Sequence, residues 1–424
     1  MRKRVLVSAP ALSQSGYGVH ARTVLRSLRT REDLFDVYLE NLNWGATSWL
    51  WQDDEERRWI DSLLLKTFQY SQAGGHYDIS LQVTIPNEWK NKAEINIGCT
   101  AGIETTKITG EWAQASYLMD KIIVVSNFSR EAFVNTYFDI VDQATGESKR
   151  AQAKGPVEVV NYPFVPAEKT ELELDLQSDF NFLLVSQWSP RKNFENTIKW
   201  FVEEFYDQNV GLVVKASTAN NCYSDFLFTK NRILSLLSNP VYKDRKCNIH
   251  LLHGSMDRQE FAGLYTHPKI KALINIAHGE GFGLPMIEAA GHGLPIITIG
   301  WGGQVDFLYV PEKRKGQKKK RLVAKFAEVN YSMGKVLPEA VWDGVLRADS
   351  DWAYADQGNF KMTLRDVKKK YSVYQRRAKD LQKHILENFT EEKKYAEFCS
   401  HLEEYIESDE SWLQEIQEIV HSYE

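Results

Sequence analysis

Between Ala272 and Ile299 the chain reads as strand, glycine loop, helix and second strand, an order that commits its second half to a parallel α/β sheet. Ala272-Leu273-Ile274-Asn275-Ile276 is a short apolar run bounded by small and polar residues, as expected of a buried strand. Gly279-Glu280-Gly281-Phe282-Gly283 is the loop. Pro285 suits the first position of a helix, where its fixed φ fits and its missing N–H is no loss, and Met286 to Ala290 continue that helix. Gly291 and Gly293 end it, Pro295 prevents its return, and Ile296 to Ile299 form the next strand.

A helix that starts after glycines exposes unpaired backbone N–H groups at the positive end of its dipole, a setting that suits a phosphate or diphosphate. Gly281, Phe282, Gly283 and Leu284 stand where those groups are expected. Glu280 precedes the helix and Glu288 lies about one turn inside it, so both carboxylates can face a ligand at the helix start without touching each other. Carboxylates accept hydrogen bonds from sugar hydroxyls. The expected ligand therefore carries sugars on both sides of a diphosphate, as a nucleotide sugar does.

The spacing Glu280-x7-Glu288, set in GEGFGLPMIEAAGHGLPII, resembles the E-x7-E signature of the retaining family 4 glycosyltransferases. That resemblance implies an α/β protein of the GT-B fold, two Rossmann-like doubly wound domains facing across a cleft. It further implies transfer of a sugar from a nucleotide-diphosphate-sugar donor with retention, without metal or cofactor. Glu288 would hold the ribose hydroxyls and Glu280 the transferred sugar. The family commonly places an arginine and then a lysine on the donor diphosphate, in the turn after the strand Phe182 to Val185. Lys192 matches the lysine, Gln187 stands where the arginine is expected, and Arg191 is the candidate to replace that charge. Many relatives place a histidine or an acid against the acceptor after the fourth strand, and Glu104 matches by position. Gly16, in the loop after the first strand, corresponds to the glycine loop of the N-terminal domain, and His253 to a region near the nucleotide base. The string VVSNFSREAF and the turn Gly300 to Asp306 are similar to the family pattern as well.

The rest of the chain agrees with two domains. At 424 residues it is long for one core, and no repeat recurs. Strands are expected at Val5 to Ser8, Phe35 to Leu39, Tyr77 to Gln82, Glu94 to Ile97, Lys121 to Val125 and Val157 to Val160. A second series is expected at Phe182 to Val185, Leu212 to Lys215, Ile249 to Leu252, Leu273 to Ile276 and Ile296 to Ile299. Pro163, Pro166 and the acidic run Glu168 to Asp179 read as a linker. Residues 1–165 are thus the acceptor-side domain and 166–390 the nucleotide-sugar domain. Residues 391–424 form a helix that the resemblance takes back to the first domain, with Trp412, Ile416 and Val420 on its apolar pattern.

Composition narrows the partners. A net charge of -5 gives no global attraction to nucleic acid or an anionic membrane. Four scattered cysteines form no disulfide framework or C-x-x-C site and read as reduced thiols of a cytoplasmic protein. The basic start and short apolar run at Met1 to Ser8 read as a first strand rather than a secretion signal, and no stretch is long enough to span a membrane. The run Lys313 to Arg321 carries seven cations in nine residues. It is either a solvated hairpin tip or a guide for an anionic acceptor, and the acceptor classes that follow are a glycan, a lipid-linked saccharide or DNA. Two other readings stand beside the transferase. One is a non-catalytic nucleotide-sugar or glycan-binding protein of the same fold, which the intact pair Glu280 and Glu288 opposes. The other is a phosphorylase-like enzyme, for which no cofactor lysine is found.

Overall fold

The computed structural model describes residues 2–141, 146, 148–313 and 319–422. Its first half has strands β1 (Lys3–Ala9), β2 (Phe35–Asn41), β3 (Ile79–Val83), β4 (Ile95–Thr100), β5 (Lys121–Val124), a β6 (Tyr137–Val141) and β7 (Ser148–Gln152) hairpin, and β8 (Val157–Val159). Helices α1 (Gly16–Arg29), α2 (Glu55–Gln72), α3 (Gly110–Ala115) and α4 (Asn127–Asn135) lie between them. Six of these strands form a parallel sheet in the order β2-β1-β3-β4-β5-β8. Such a sheet is covered on both faces, which is why its strands are runs of buried Val, Ile and Leu rather than alternating patterns.

The second half repeats the plan with β9 (Asn181–Gln187), β10 (Gly211–Ser217), β11 (Asn248–Leu252), β12 (Ile270–Asn275) and β13 (Ile296–Ile299). A hairpin of β14 (Tyr309–Glu312) and β15 (Arg321–Ala324) follows, then β16 (Ala327–Val329) and a second hairpin of β17 (Tyr331–Lys335) and β18 (Asp351–Ala355). The parallel order β11-β10-β9-β12-β13-β16 reverses direction between β9 and β12, the switch point where such sheets receive ligands. Helices α5 (Phe194–Glu204), α6 (Tyr223–Leu237), α7 (Arg258–Thr266), α8 (Leu284–Gly291), α9 (Val305–Leu308), α10 (Gln357–Lys369), α11 (Tyr371–Asn388) and α12 (Glu391–Ser422) complete the chain. The fold is GT-B: two doubly wound α/β domains facing across a cleft.

Two segments tie the halves together. In α12, Phe398, Cys399 and Leu402 are buried in the first-domain core, and the His401 carbonyl accepts from the Lys121 ammonium at 2.7 Å. The side chains of Trp412, Ile416 and Val420 lie outside the described residues. The acidic stretch 168–179 has no helix or strand, as expected of a linker, yet it is packed down. Leu172, Leu174 and Leu176, alternating with its acids, insert into the second-domain core, and the Thr170 N–H donates to the Gln259 carbonyl at 3.0 Å. Residues 314–318, the middle of the basic run, lie outside the described residues.

Candidate active site

Strand β12 and the loop after it set the centre of the cleft. Gly283 takes φ 97°, a conformation open to glycine, and turns the chain into α8 with Pro285 in its first turn. The other loop glycines answer a different demand. A Cβ on Gly279 would lie 2.0 Å from the Glu104 carbonyl, and one on Gly281 2.5 Å from the Ala101 carbonyl, both in the first domain. These glycines let the two domains touch. The Ser126 hydroxyl donates to the Gly281 carbonyl at 2.6 Å, and Asp306 accepts from the Asn127 N–H and the Asn161 amide at 2.8 and 3.0 Å. The Gly302-Gly303 turn supports the same loop, with the Gly303 N–H on the Glu280 carbonyl at 2.7 Å.

Around this contact four ionisable side chains converge. Pro190–Lys192 forms a short 3-10 turn after β9, ended by Asn193 in the left-handed region, and it aims Arg191 and Lys192 at Glu280. The Lys192 ammonium lies 2.7 and 2.8 Å from the two Glu280 oxygens. Asn275 donates to Glu280 at 2.9 Å, and Arg191 approaches it at 3.5 Å. Arg191 also donates to the Gly279 carbonyl at 2.6 Å and pairs with Glu104 of the first domain at 3.1 Å. Burial works to raise the Glu280 carboxyl's pKa, but Lys192, Arg191 and the Asn275 hydrogen bond together outweigh it and hold it below the ordinary carboxylate value. Burial lowers Arg191, and the charges of Glu104 and Glu280 more than reverse that. Thus Glu104, the adjacent pair Arg191 and Lys192, and Glu280, from three separate stretches of the sequence, form one cluster.

Glu288 stands apart from that cluster. It is half-buried one turn into α8 and accepts from the Tyr265 hydroxyl at 2.9 Å. Burial pushes its carboxyl up to about 7, against the Tyr265 hydrogen bond and the charge of Arg258. Leu284 opens α8, and Phe282 is buried in the core beside it. Gly16 is exposed at the start of α1, with open space around it. His253 follows β11 with its imidazole against Asp225 at 2.8 Å, so its ring is engaged by the protein. Gln187 donates to the Thr218 carbonyl at 2.9 Å and takes no part in the cluster.

Two features escape the sequence reading. The Lys192–Glu280 pair joins residues far apart in sequence, and no local signal reports it. The triplet Asp349-Ser350-Asp351 has Asp-x-Asp spacing, so the expectation of chemistry without metal cannot rest on the absence of that motif. Its carboxylates pair with Arg347 and Lys107 on one side and Lys335 on the other. Among the described residues no three His, Cys, Asp or Glu side chains gather as for a metal ion, and no helix is long and apolar enough to cross a membrane.

No family model and no curated protein matches the sequence. Solved structures do match the fold. Sucrose-phosphate synthase from Thermosynechococcus elongatus is similar over 96% of this chain and 100% of its own, at 12% identity and a TM-score of 0.60. Anabaena HepE in complex with UDP and glucose is similar over 95% and 100%, at 14% identity and 0.57. The lipopolysaccharide outer core galactosyltransferase WaaB is similar over 95% and 99%, at 12% and 0.54. At these identities the likeness is one of fold.

Proposed function

We propose that this chain is a retaining glycosyltransferase, of the family 4 type its E-x7-E spacing resembles, that takes its sugar from a nucleotide diphosphate. The observation that carries the reading is the cluster of Lys192, Arg191 and Glu280 at the switch point of the second sheet, beside the glycine turn into α8. Two cations and the backbone N–H groups of the loop are preorganised for a diphosphate, whose negative charge grows as the bond to the sugar breaks. A donor diphosphate would draw Lys192 and Arg191 off their carboxylates and leave Glu280 free to accept from hydroxyls of the transferred sugar. Glu288 would accept from the ribose, and Glu104 would face the acceptor from the first domain. No metal is assigned to this chemistry. The solved structures of similar fold include one in complex with UDP and glucose, which supports the donor class.

The acceptor is a glycan, a lipid-linked saccharide or DNA, and the basic run Lys313 to Arg321 favours an anionic one. A non-catalytic binding protein of the same fold is the competing reading. Release of the nucleoside diphosphate from UDP-glucose and other nucleotide hexoses by the purified chain tests the proposal. Binding without release under any acceptor supplied would favour the binding protein.

A further inference from the structure

Strand β10 runs GLVVKAS through the middle of a sheet covered on both faces, and its lysine, Lys215, is only 8% exposed. A cation there is costly unless something needs it. Its ammonium donates to the Gly254 carbonyl and makes no ion pair among the described residues. Glu260, the carboxylate whose charge it feels, is turned to the Asp257 N–H in the capping box of α7. Burial outweighs that charge and lowers the amine to about 8, so it is still protonated at neutral pH.

Its place in the sheet is informative. Lys215 is in register with Val185 of β9 and Leu252 of β11, near the edge that faces the cleft. It shares a face with Val213, which belongs to the same core cluster as Tyr265 of α7 and Met286 of α8. A row of aromatic rings on α7 leads back to α8. The Lys215 ammonium lies 5.8 Å from the Phe261 ring centre, Phe261 stacks on Tyr265 at 5.9 Å, and Tyr265 donates to Glu288. Glu280 follows β12, and β10 lies two interstrand spacings away, about 10 Å, which is the reach of a nucleoside from its phosphates.

We infer that Lys215 reads the base of the donor, donating a hydrogen bond to an exocyclic carbonyl on the base edge remote from the ribose. This rests on the nucleotide-sugar reading and adds to it a choice of base. An ammonium only donates, so it accepts the carbonyl of uracil or guanine and opposes the amino group that cytosine or adenine presents there. Uracil and cytosine have the same shape and differ at that position. A site built to pair with one such group rejects the other because a buried donor is left unmatched.

Calorimetric titration of the full chain with UDP, CDP, GDP, ADP and inorganic pyrophosphate tests the inference. The parent should bind UDP about tenfold or more tightly than CDP, and GDP more tightly than ADP. Lys215→Met should bring the UDP to CDP ratio within about threefold, with pyrophosphate affinity unchanged. Lys215→Gln, whose amide both donates and accepts, should flatten the ratio while keeping UDP affinity. A purely structural lysine would weaken UDP and CDP alike. Equal affinities in the parent, or an unaltered ratio in both variants, would overturn the inference while leaving the nucleotide-sugar reading intact. Failure of all four nucleotides to bind would instead overturn that reading, and the inference with it.

Discussion

Arg191 bridges the two domains: one end of its guanidinium lies 3.1 Å from Glu104 of the first, and the other 3.5 Å from Glu280 of the second. A donor diphosphate entering the cleft competes with both carboxylates for the same cation. Glu104→Gln should therefore remove one charge-assisted partner, lowering stability by about 1 to 3 kcal/mol in urea denaturation. Turnover should fall, as for a residue facing the acceptor, with donor affinity unchanged or tighter. Unchanged turnover would remove Glu104 from the chemistry and leave it as a domain tether.

Lys192 and Glu280 are largely buried together, so removing one strands the other. Lys192→Ala should cost about 3 to 5 kcal/mol of stability, and the double variant Lys192→Met with Glu280→Gln much less than the sum of its parts. In the folded fraction, Lys192→Ala should lower turnover more than donor affinity, because the diphosphate charge is greatest in the transition state. Additive stability losses would mean that the pair is solvated rather than coupled.

The glycines at 279 and 281 make a prediction that a phosphate loop alone would not. Gly279→Ala places a methyl 2.0 Å from the Glu104 carbonyl and should hold the domains apart. The variant should show a larger radius of gyration than the parent in solution scattering. An unchanged radius would show that the loop shifts locally instead.

Glu288 adds a pH dependence. Its folded carboxyl holds its proton up to about 7, while the unfolded one releases it near 4.5. Between those values the folded state binds more protons, so this group's contribution to stability declines as pH rises and is flat beyond about 7. Glu288→Gln should remove that decline, on the order of 2 kcal/mol after allowance for solvent screening, in denaturation series at pH 5 and pH 8. As a ribose ligand the ionised form is the better acceptor, so UDP-glucose should bind more tightly at pH 8 than at pH 6 in the parent and equally in the variant. A parent with no such change would remove Glu288 from the donor site.

Much of the fold was legible because buried parallel strands are continuous apolar runs. Ile296–Ile299 emerges with the bounds read from sequence, and β1, β9 and β10 differ from their expected ends by a few residues. The β6–β7 hairpin was not legible, since its strands are short and β7, at Ser148–Gln152, is polar and mostly exposed. In the site, the turn into α8 could be read from Gly283 and Pro285, whereas the pairings of Arg191 and Lys192 are long-range and left no local trace. The sequence alone points the loop glycines to phosphate, because nothing in it reveals that a second domain lies against them.

Release of nucleoside diphosphate from nucleotide hexoses, followed by phosphorus NMR in the presence of a chelator, tests the transferase reading. The parent should release the diphosphate from at least one donor, slowly without acceptor, and Lys192→Ala should abolish release while the chelator has no effect. No release from any donor, with or without candidate acceptors, would contradict the transferase reading, and release that the chelator abolishes and magnesium or manganese restores would contradict its mechanism.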